Sequence, residues 1–164
     1  MRELFQEIMM TNAREVVFVH VLSAVFWVGG MIVMRFIVQP SLKNIQDDNI
    51  RIARALDIMK SFFTVVQVAI FLLVLTGVVM IMGLDLKNGS LDFYQLVIYK
   101  EAIWSVMLVV FIFLAFKRSR AQRHFVSGDI ATAKKNIAQI ETAVYVNILL
   151  GLAAIYLGVM VRGY

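Results

Sequence analysis

Two polar side chains in otherwise apolar stretches of this sequence carry groups that can do chemistry. His20 lies inside the run FVHVLSAVFWVGGMIVMRF, residues 18–36, and the chain has one other histidine, His124. Lys100 lies inside a second apolar run. An imidazole can ligate a metal or bond to a neighbouring helix, and an ammonium can pair with a carboxylate. Because polar groups in hydrocarbon are costly, both residues are candidates for a functional site.

Four apolar helices must position these two residues. Of the 164 residues 61% are apolar, the mean hydropathy is +0.82, and soluble domains are less apolar than this. Each apolar stretch has the ~20 residues that cross a ~30 Å hydrocarbon layer. The sequence therefore predicts an all-α polytopic membrane protein, in which residues 1–164 form a single domain, an antiparallel four-transmembrane-helix bundle. The predicted helices cover about 13–38, 48–83, 93–124 and 129–162.

Local signals predict where these helices begin and end. Asn12, followed three residues later by a glutamate, has the spacing of a capping box and predicts a helix start near residue 13. Pro40 predicts the end of the first helix, because proline disfavours helix in the residue before it. Asp47 or Asp48 is a candidate N-cap of the second helix. Turn residues are expected at DLKNGS, 85–90, and at SGD, 127–129.

The distribution of basic residues predicts how the bundle lies in the membrane. Ten lysines and arginines lie in or beside the first and third connections, whereas four lie on the other side. Positive residues favour the cytoplasmic side, so we expect both termini in the periplasm and a multi-pass protein of a bacterial inner membrane. The net charge of +5 suits anionic lipid headgroups, and no nucleic-acid partner is expected. Without cysteines the chain has no disulfides or thiolate metal ligands.

The depth of the polar residues predicts a layer shared by all four helices. His20 lies about seven residues inside its helix, or ~10 Å below the outer surface. Lys100 lies at a similar depth in the third helix, and Thr76 and Tyr156 reach the same level on the helices that run outward. We therefore expect these four side chains to line one site. A second polar pair, Gln67 with Asn147, is expected in the inner half.

Helical spacing predicts which other side chains share this site. Trp27 follows His20 at seven residues, and Trp104 follows Lys100 at four, so each tryptophan lies on the stripe of its polar partner. Trp104 is expected to form a cation–π contact with the Lys100 ammonium. Methionines continue both stripes, at positions 31, 34 and 107.

The first apolar run resembles a known family. HVLSAVFWVGGMIVMRFIVQPSL is similar to the first-helix signature of the CopD-type copper resistance proteins: a histidine, six residues, a tryptophan, one residue and a glycine pair. LTGVVM, YQLVIYKEAIW and NILLGLAAIYLGV resemble later segments of that family, in the same order. The resemblance implies a CopD-like membrane core.

The sequence is also distantly similar to HemJ-type protoporphyrinogen oxidases. These four-helix proteins have a functional histidine in the first helix and a functional lysine in the third, and they bind haem; His20 and Lys100 match the two positions. The leucine-proline-arginine run of that family is replaced by VMRF, and its asparagine-glutamate-x-proline stretch is absent. The CopD-like core is therefore the better match.

Copper handling or transport across the inner membrane is the first functional hypothesis. Imidazole and thioether ligands suit copper, and the chain has ten methionines. His20 would ligate the ion in the outer half of the bundle, and the protein would not be an enzyme. The expected copper path runs over Met80, Met82 and Met160 at the rim, then Met107, Met31 and Met34.

Two alternatives stay open. In the first, the protein binds haem b with His20 as axial ligand and Lys100 as the partner of a carboxylate, and is a haem-dependent oxidoreductase. In the second, it is a small non-catalytic membrane subunit. Beyond the lipid bilayer, the expected partner is a second copy of the chain or a periplasmic metal-binding protein.

Overall fold

A computed structural model describes residues 2–84 and 91–161, with the side chains of 91–93 and 161 excepted. Each helix in this part of the chain contains a stretch that is long and apolar enough to cross a membrane. Large hydrophobic side chains are exposed along all of them, as expected for faces that meet lipid. The predicted all-α four-helix membrane bundle is therefore confirmed. Its helices are α1 Arg2–Lys43, α2 Asp48–Gly83, α3 Leu91–Val126 and α4 Ile130–Val161.

The four helices pack as two hairpins. α1 lies along α2, and α3 lies along α4, whereas contacts between the two pairs are far fewer. We call α1–α2 the first hairpin and α3–α4 the second. The end of the bundle that holds residues 43–60 and 117–135 is called the basic end, and the opposite end the terminal end. A site between the hairpins can therefore take residues from all four helices.

The first helix starts earlier than predicted. Residues 2–11 are already helical, and the predicted start corresponds to a kink at Asn12, where φ is −127° and ψ is 30°. Before the kink, Met9 is buried, and its side chain lies against Gly83 at the end of α2. The sequence prediction missed this segment because a tertiary contact, rather than a local signal, stabilises it.

The first helix also ends later than predicted. It continues through Pro40 to Lys43, beyond the expected end at residue 38. Residues Met34–Val38, directly before the proline, form a π-helical turn. Proline normally clashes with the carbonyl four residues earlier, and the wider π turn moves that carbonyl away. A second π-helical segment, Val25–Gly29, lies nearer the middle of the helix.

The remaining helix ends follow the predicted signals closely. Asp47 is the N-cap of α2, and its carboxylate accepts hydrogen bonds from the backbone N–H groups of residues 49 and 50, at 2.8 and 3.1 Å. Asp129 caps α4 in the same way by accepting from Thr132 N at 3.0 Å. Gly128 precedes it with φ of +82°, which favours glycine. The predicted turn at 85–90 and the predicted last helical residue, 162, lie outside the described residues.

A buried apolar core joins the two hairpins at the middle of the bundle and toward the basic end. Its members include the fully buried Met31, Val66 and Leu114. The main buried cluster ends about two turns from the level of His20, although Val79 and Val97 are also buried nearer the terminal end. The residues at this boundary are Trp27, Ile70, Met107 and Ile148.

Candidate functional site

His20 is held by a hydrogen bond between the two helices of the first hairpin. Its Nδ1 lies 2.9 Å from Oγ1 of Thr76. The Thr76 hydroxyl donates its own proton to the carbonyl of Leu72, at 2.7 Å. A hydroxyl has one proton to donate, so toward the imidazole it accepts. We therefore assign the imidazole proton to Nδ1, which leaves the Nε2 lone pair free to ligate.

Backbone close to the imidazole supports this arrangement. A Cβ on Gly77 would lie 3.5 Å from Cε1 of His20, so α2 approaches the ring edge at a residue without a side chain. The Leu73 carbonyl lies beside this contact, 3.2 Å from Oγ1 of Thr76. Imidazoles that ligate metals commonly donate their other N–H to an oxygen acceptor, which fixes the ring orientation. The first hairpin therefore fixes the orientation of the His20 ring.

Lys100 reaches the same region from the second hairpin. A Cβ on Gly158 of α4 would lie 3.4 Å from Nζ of Lys100, so the ammonium lies over a glycine of the neighbouring helix. Both His20 and Lys100 are half-buried. The positive charge of Lys100 acts electrostatically on the imidazole. The structure thus places an imidazole and an ammonium, one from each hairpin, in one region of the terminal half.

Tyr156, which was predicted to line the site, lies on another face of its helix, and the cation–π contact predicted for Trp104 is not found among the described residues. The side chain of Tyr156 is 66% exposed on the outer face of α4. It lies two residues, or about 200° of helix rotation, from Gly158, so it cannot share the face that meets Lys100. Trp104 is half-buried, but the cation–π contact found among the described residues joins Lys117 to Phe113 instead.

Trp27 belongs to the core rather than to the polar layer. It is 2% exposed and packs edge-on against Phe111, with 6.4 Å between ring centroids. Within the described part of the chain, its Nε1–H finds no hydrogen-bond acceptor. Trp27 therefore closes the site on the side of the buried core, about two turns from His20.

The expected inner polar pair does not form. Asn147 is fully buried, and its Nδ2 donates to Sδ of Met31 at 3.5 Å. Its Oδ1 has no partner among the residues that the structure describes. Gln67 is exposed and lies one residue from the buried Val66. The two amides were predicted to meet, but the side chain of Gln67 lies on an exposed face of its helix.

The methionines of the expected copper path separate into two groups. Met31, Met34 and Met107 are buried in the core. At the rim, Met82 and Met160 are 46% and 41% exposed, and Met80 is half-buried. Among the described histidines and acidic residues, no group of three or more could hold a metal ion.

Two glycines of this region were not predicted as site residues. Gly77 meets the His20 ring, and Gly158 meets the Lys100 ammonium. Glycine within an apolar helix allows a close approach of the neighbouring helix. Such a glycine next to a polar residue, as at Thr76 and Gly77, is a sequence signal that could have indicated the contact.

Comparison of the chain with protein-family models, curated proteins and solved structures gives no match. The resemblance to CopD-type and HemJ-type proteins therefore stays a prediction.

Proposed function

We propose that this protein binds haem b between the two hairpins in the terminal half of the bundle and acts as a membrane oxidoreductase. His20 would provide the axial ligand through Nε2, and Lys100 would pair with a haem propionate. The observation that carries this proposal is the 2.9 Å hydrogen bond between Nδ1 of His20 and Oγ1 of Thr76, from which we assign the free lone pair to Nε2.

The residues of the region fit this group. A haem iron needs one imidazole from the protein, whereas a bare metal ion needs several side-chain ligands. The described residues offer the single ligand and contain no acidic or histidine cluster. The main buried cluster ends about two turns from His20, and Lys100 provides a cation from the facing hairpin. When bound, haem would supply a redox-active iron. Thr76 would orient the ligand, and Lys100 would neutralise a carboxylate.

Copper handling is the second candidate, because the same Nε2 can ligate Cu(I) and the buried methionines lie further along the bundle. It is less well supported, since two of the three rim methionines are 46% and 41% exposed and a lone imidazole holds copper weakly. The third candidate is a non-catalytic membrane subunit, in which the bond between His20 and Thr76 joins two helices and does nothing more.

The same proposal includes the orientation in the membrane. The ten basic residues at the basic end favour the cytoplasm, which would place both termini in the periplasm of a bacterium and the haem near the periplasmic side. Reporter fusions at Tyr164 and within 127–129 should then report opposite compartments. A cytoplasmic signal from Tyr164 would reverse this orientation without affecting the haem site.

Absorbance of the purified protein tests the cofactor. Protein produced with an adequate haem supply should show a Soret band, and His20→Ala should abolish it. His124→Ala is the matched control, because it removes the chain's other imidazole from the basic end. Metal analysis of the same samples distinguishes the candidates. Copper without haem would favour copper handling, and the absence of both copper and haem would favour the structural subunit.

A further inference from the structure

A groove lies at the seam between the two hairpins, near the basic end of the bundle. It is formed by α2 and α3, which belong to different hairpins and make few contacts with each other. Its volume is about 270 Å³. The residues that line it are Lys60, Phe63, Thr64, Gln67, Ala115, Arg118 and Ser119.

The charges in this groove are of one sign. Lys60 and Arg118 line it, and no carboxylate does. A larger cavity of about 360 Å³ at the same end of the bundle is different, because Glu141 lines it together with its basic residues. There Asp48 also pairs with two of the lining cations. The groove between α2 and α3 is therefore the cavity whose lining favours an anion.

The hydrogen-bonding groups of the groove also favour an acceptor ligand. Nε of Arg118 donates to the Leu56 carbonyl at 3.4 Å, which holds the guanidinium beside α2. The hydroxyls of Thr64 and Ser119 donate to carbonyls of their own helices, each at 3.0 Å. The groups that remain for a ligand are the ammonium of Lys60, the outer N–H groups of Arg118 and the exposed amide of Gln67, so a phosphate oxygen fits best.

Toward the middle of the membrane the seam becomes apolar. Phe63 and Ala115 are the apolar residues of the groove lining, and Ala115 lies on that side. One turn beyond Gln67 on α2 lies the exposed Phe71, and one turn beyond Ala115 on α3 lies the exposed Ile112. A ligand that fills the groove and the seam must therefore be anionic at one end and apolar at the other.

We propose that this groove binds an anionic phospholipid of the leaflet at the basic end. Lys60 and Arg118 hold its headgroup phosphate, and its acyl chains lie along the seam between α2 and α3. Basic pockets between membrane helices at this level bind anionic headgroups. The bound lipid fills a gap between the two hairpins, and so couples the composition of the leaflet to their association.

Lipid binding by the full-length protein, delipidated in a neutral detergent, tests this site. Native mass spectrometry with phosphatidylglycerol should show binding that phosphatidylcholine and inorganic phosphate do not reproduce. Lys60→Gln combined with Arg118→Gln should weaken phosphatidylglycerol binding about thirtyfold, and each single change about fivefold. The charge-preserving pair Lys60→Arg and Arg118→Lys should retain binding.

The matched control is Arg120→Gln combined with Lys135→Gln, which removes the same charge from the same end of the bundle, outside the groove. It should bind phosphatidylglycerol like the wild type. Equal weakening by both double variants would overturn the proposal in favour of diffuse surface attraction. Equal binding of phosphatidylcholine, or displacement of the lipid by inorganic phosphate at equal concentration, would also overturn it. Size-exclusion elution and helicity should be unchanged in every variant, so that lost binding reports on the groove.

Discussion

Gly151 tests how tightly the two hairpins pack, because it is the buried point at which α4 meets α1. A Cβ at this position would lie 2.7 Å from Cγ2 of Val28 and 3.2 Å from Cε of Met107. Met107 can move its flexible end, but Val28 is β-branched and buried, so its rotamer is restricted. Gly151→Ala should therefore force the helices apart or strain Val28.

The size of this destabilisation can be obtained by comparing Gly151 with Gly29. Gly29 is also helical, and its nearest contact to a new Cβ would be at 3.9 Å, an ordinary distance. Either substitution gains about 1 kcal/mol in helix propensity. Overpacking at Gly151 costs about 1–3 kcal/mol. Because the propensity gain is common to both, Gly151→Ala should be less stable than Gly29→Ala by about 1–3 kcal/mol.

Unfolding in mixed micelles with increasing dodecyl sulfate, followed by tryptophan fluorescence and circular dichroism, measures this difference. Both variants should first be shown to be helical and monodisperse. If Gly151→Ala proves as stable as Gly29→Ala, then α4 does not pack against Val28 as described, and the arrangement of the hairpins must be revised.

Three further predictions concern other polar groups. Thr76→Val should lower haem affinity about 10–100-fold, because His20 loses its hydrogen-bond acceptor. Thr142→Val, which removes a hydroxyl bonded only to its own helix, should leave a haem titration unchanged. Equal haem affinities of the two variants would contradict the role of Thr76. The side chain and backbone of residue 132 hold the pKa of Asp129 below its usual range. The cap should therefore contribute its full stabilisation of α4 above about pH 4. This stabilisation should be lost as the pH falls through the lower pKa that Asp129 has in the folded protein. Amide exchange at the start of α4 should show this pH-dependent loss of protection in the wild type and not in Asp129→Asn. If the variant shows the same loss, another group causes it. Asn147→Leu should leave stability unchanged or raise it, since Oδ1 is buried without a partner in the described structure; a loss above about 2 kcal/mol in the same micelle assay would show that the amide stabilises the bundle.

Depth within the membrane could be predicted from the sequence, because each residue adds a fixed rise along a helix. His20, Thr76 and Lys100 were assigned to one level in this way, and the structure places all three in the terminal half. Rotation was harder to predict on α4, where no polar stripe marks the inner face. Tyr156 was chosen there by depth, but Gly158 is the residue that meets Lys100. A single sequence does not indicate which face of such a helix is buried.

The shape of α1 depends on contacts that the sequence does not reveal. The local rule for Pro40 is correct for a regular helix, but the π turn at Met34–Val38 accommodates the proline and allows the helix to continue. The helical segment before Asn12 depends on the contact of Met9 with Gly83, which lies more than seventy residues further along the chain. The cap at Asp47 and the turn at 127–129 depend on local signals, and the sequence predicted both.

The most direct test of the account is whether an imidazole at the position of His20 binds the haem iron. His20→Gly leaves a gap where the ring lay, beside Gly77 and Thr76. We predict that the purified variant lacks the Soret band of the wild type and regains it when free imidazole and haem are added together, whereas His124→Gly keeps the band without imidazole. A His20→Gly protein that retains the full Soret band without imidazole, or a wild-type protein that binds no haem, would contradict the proposed function.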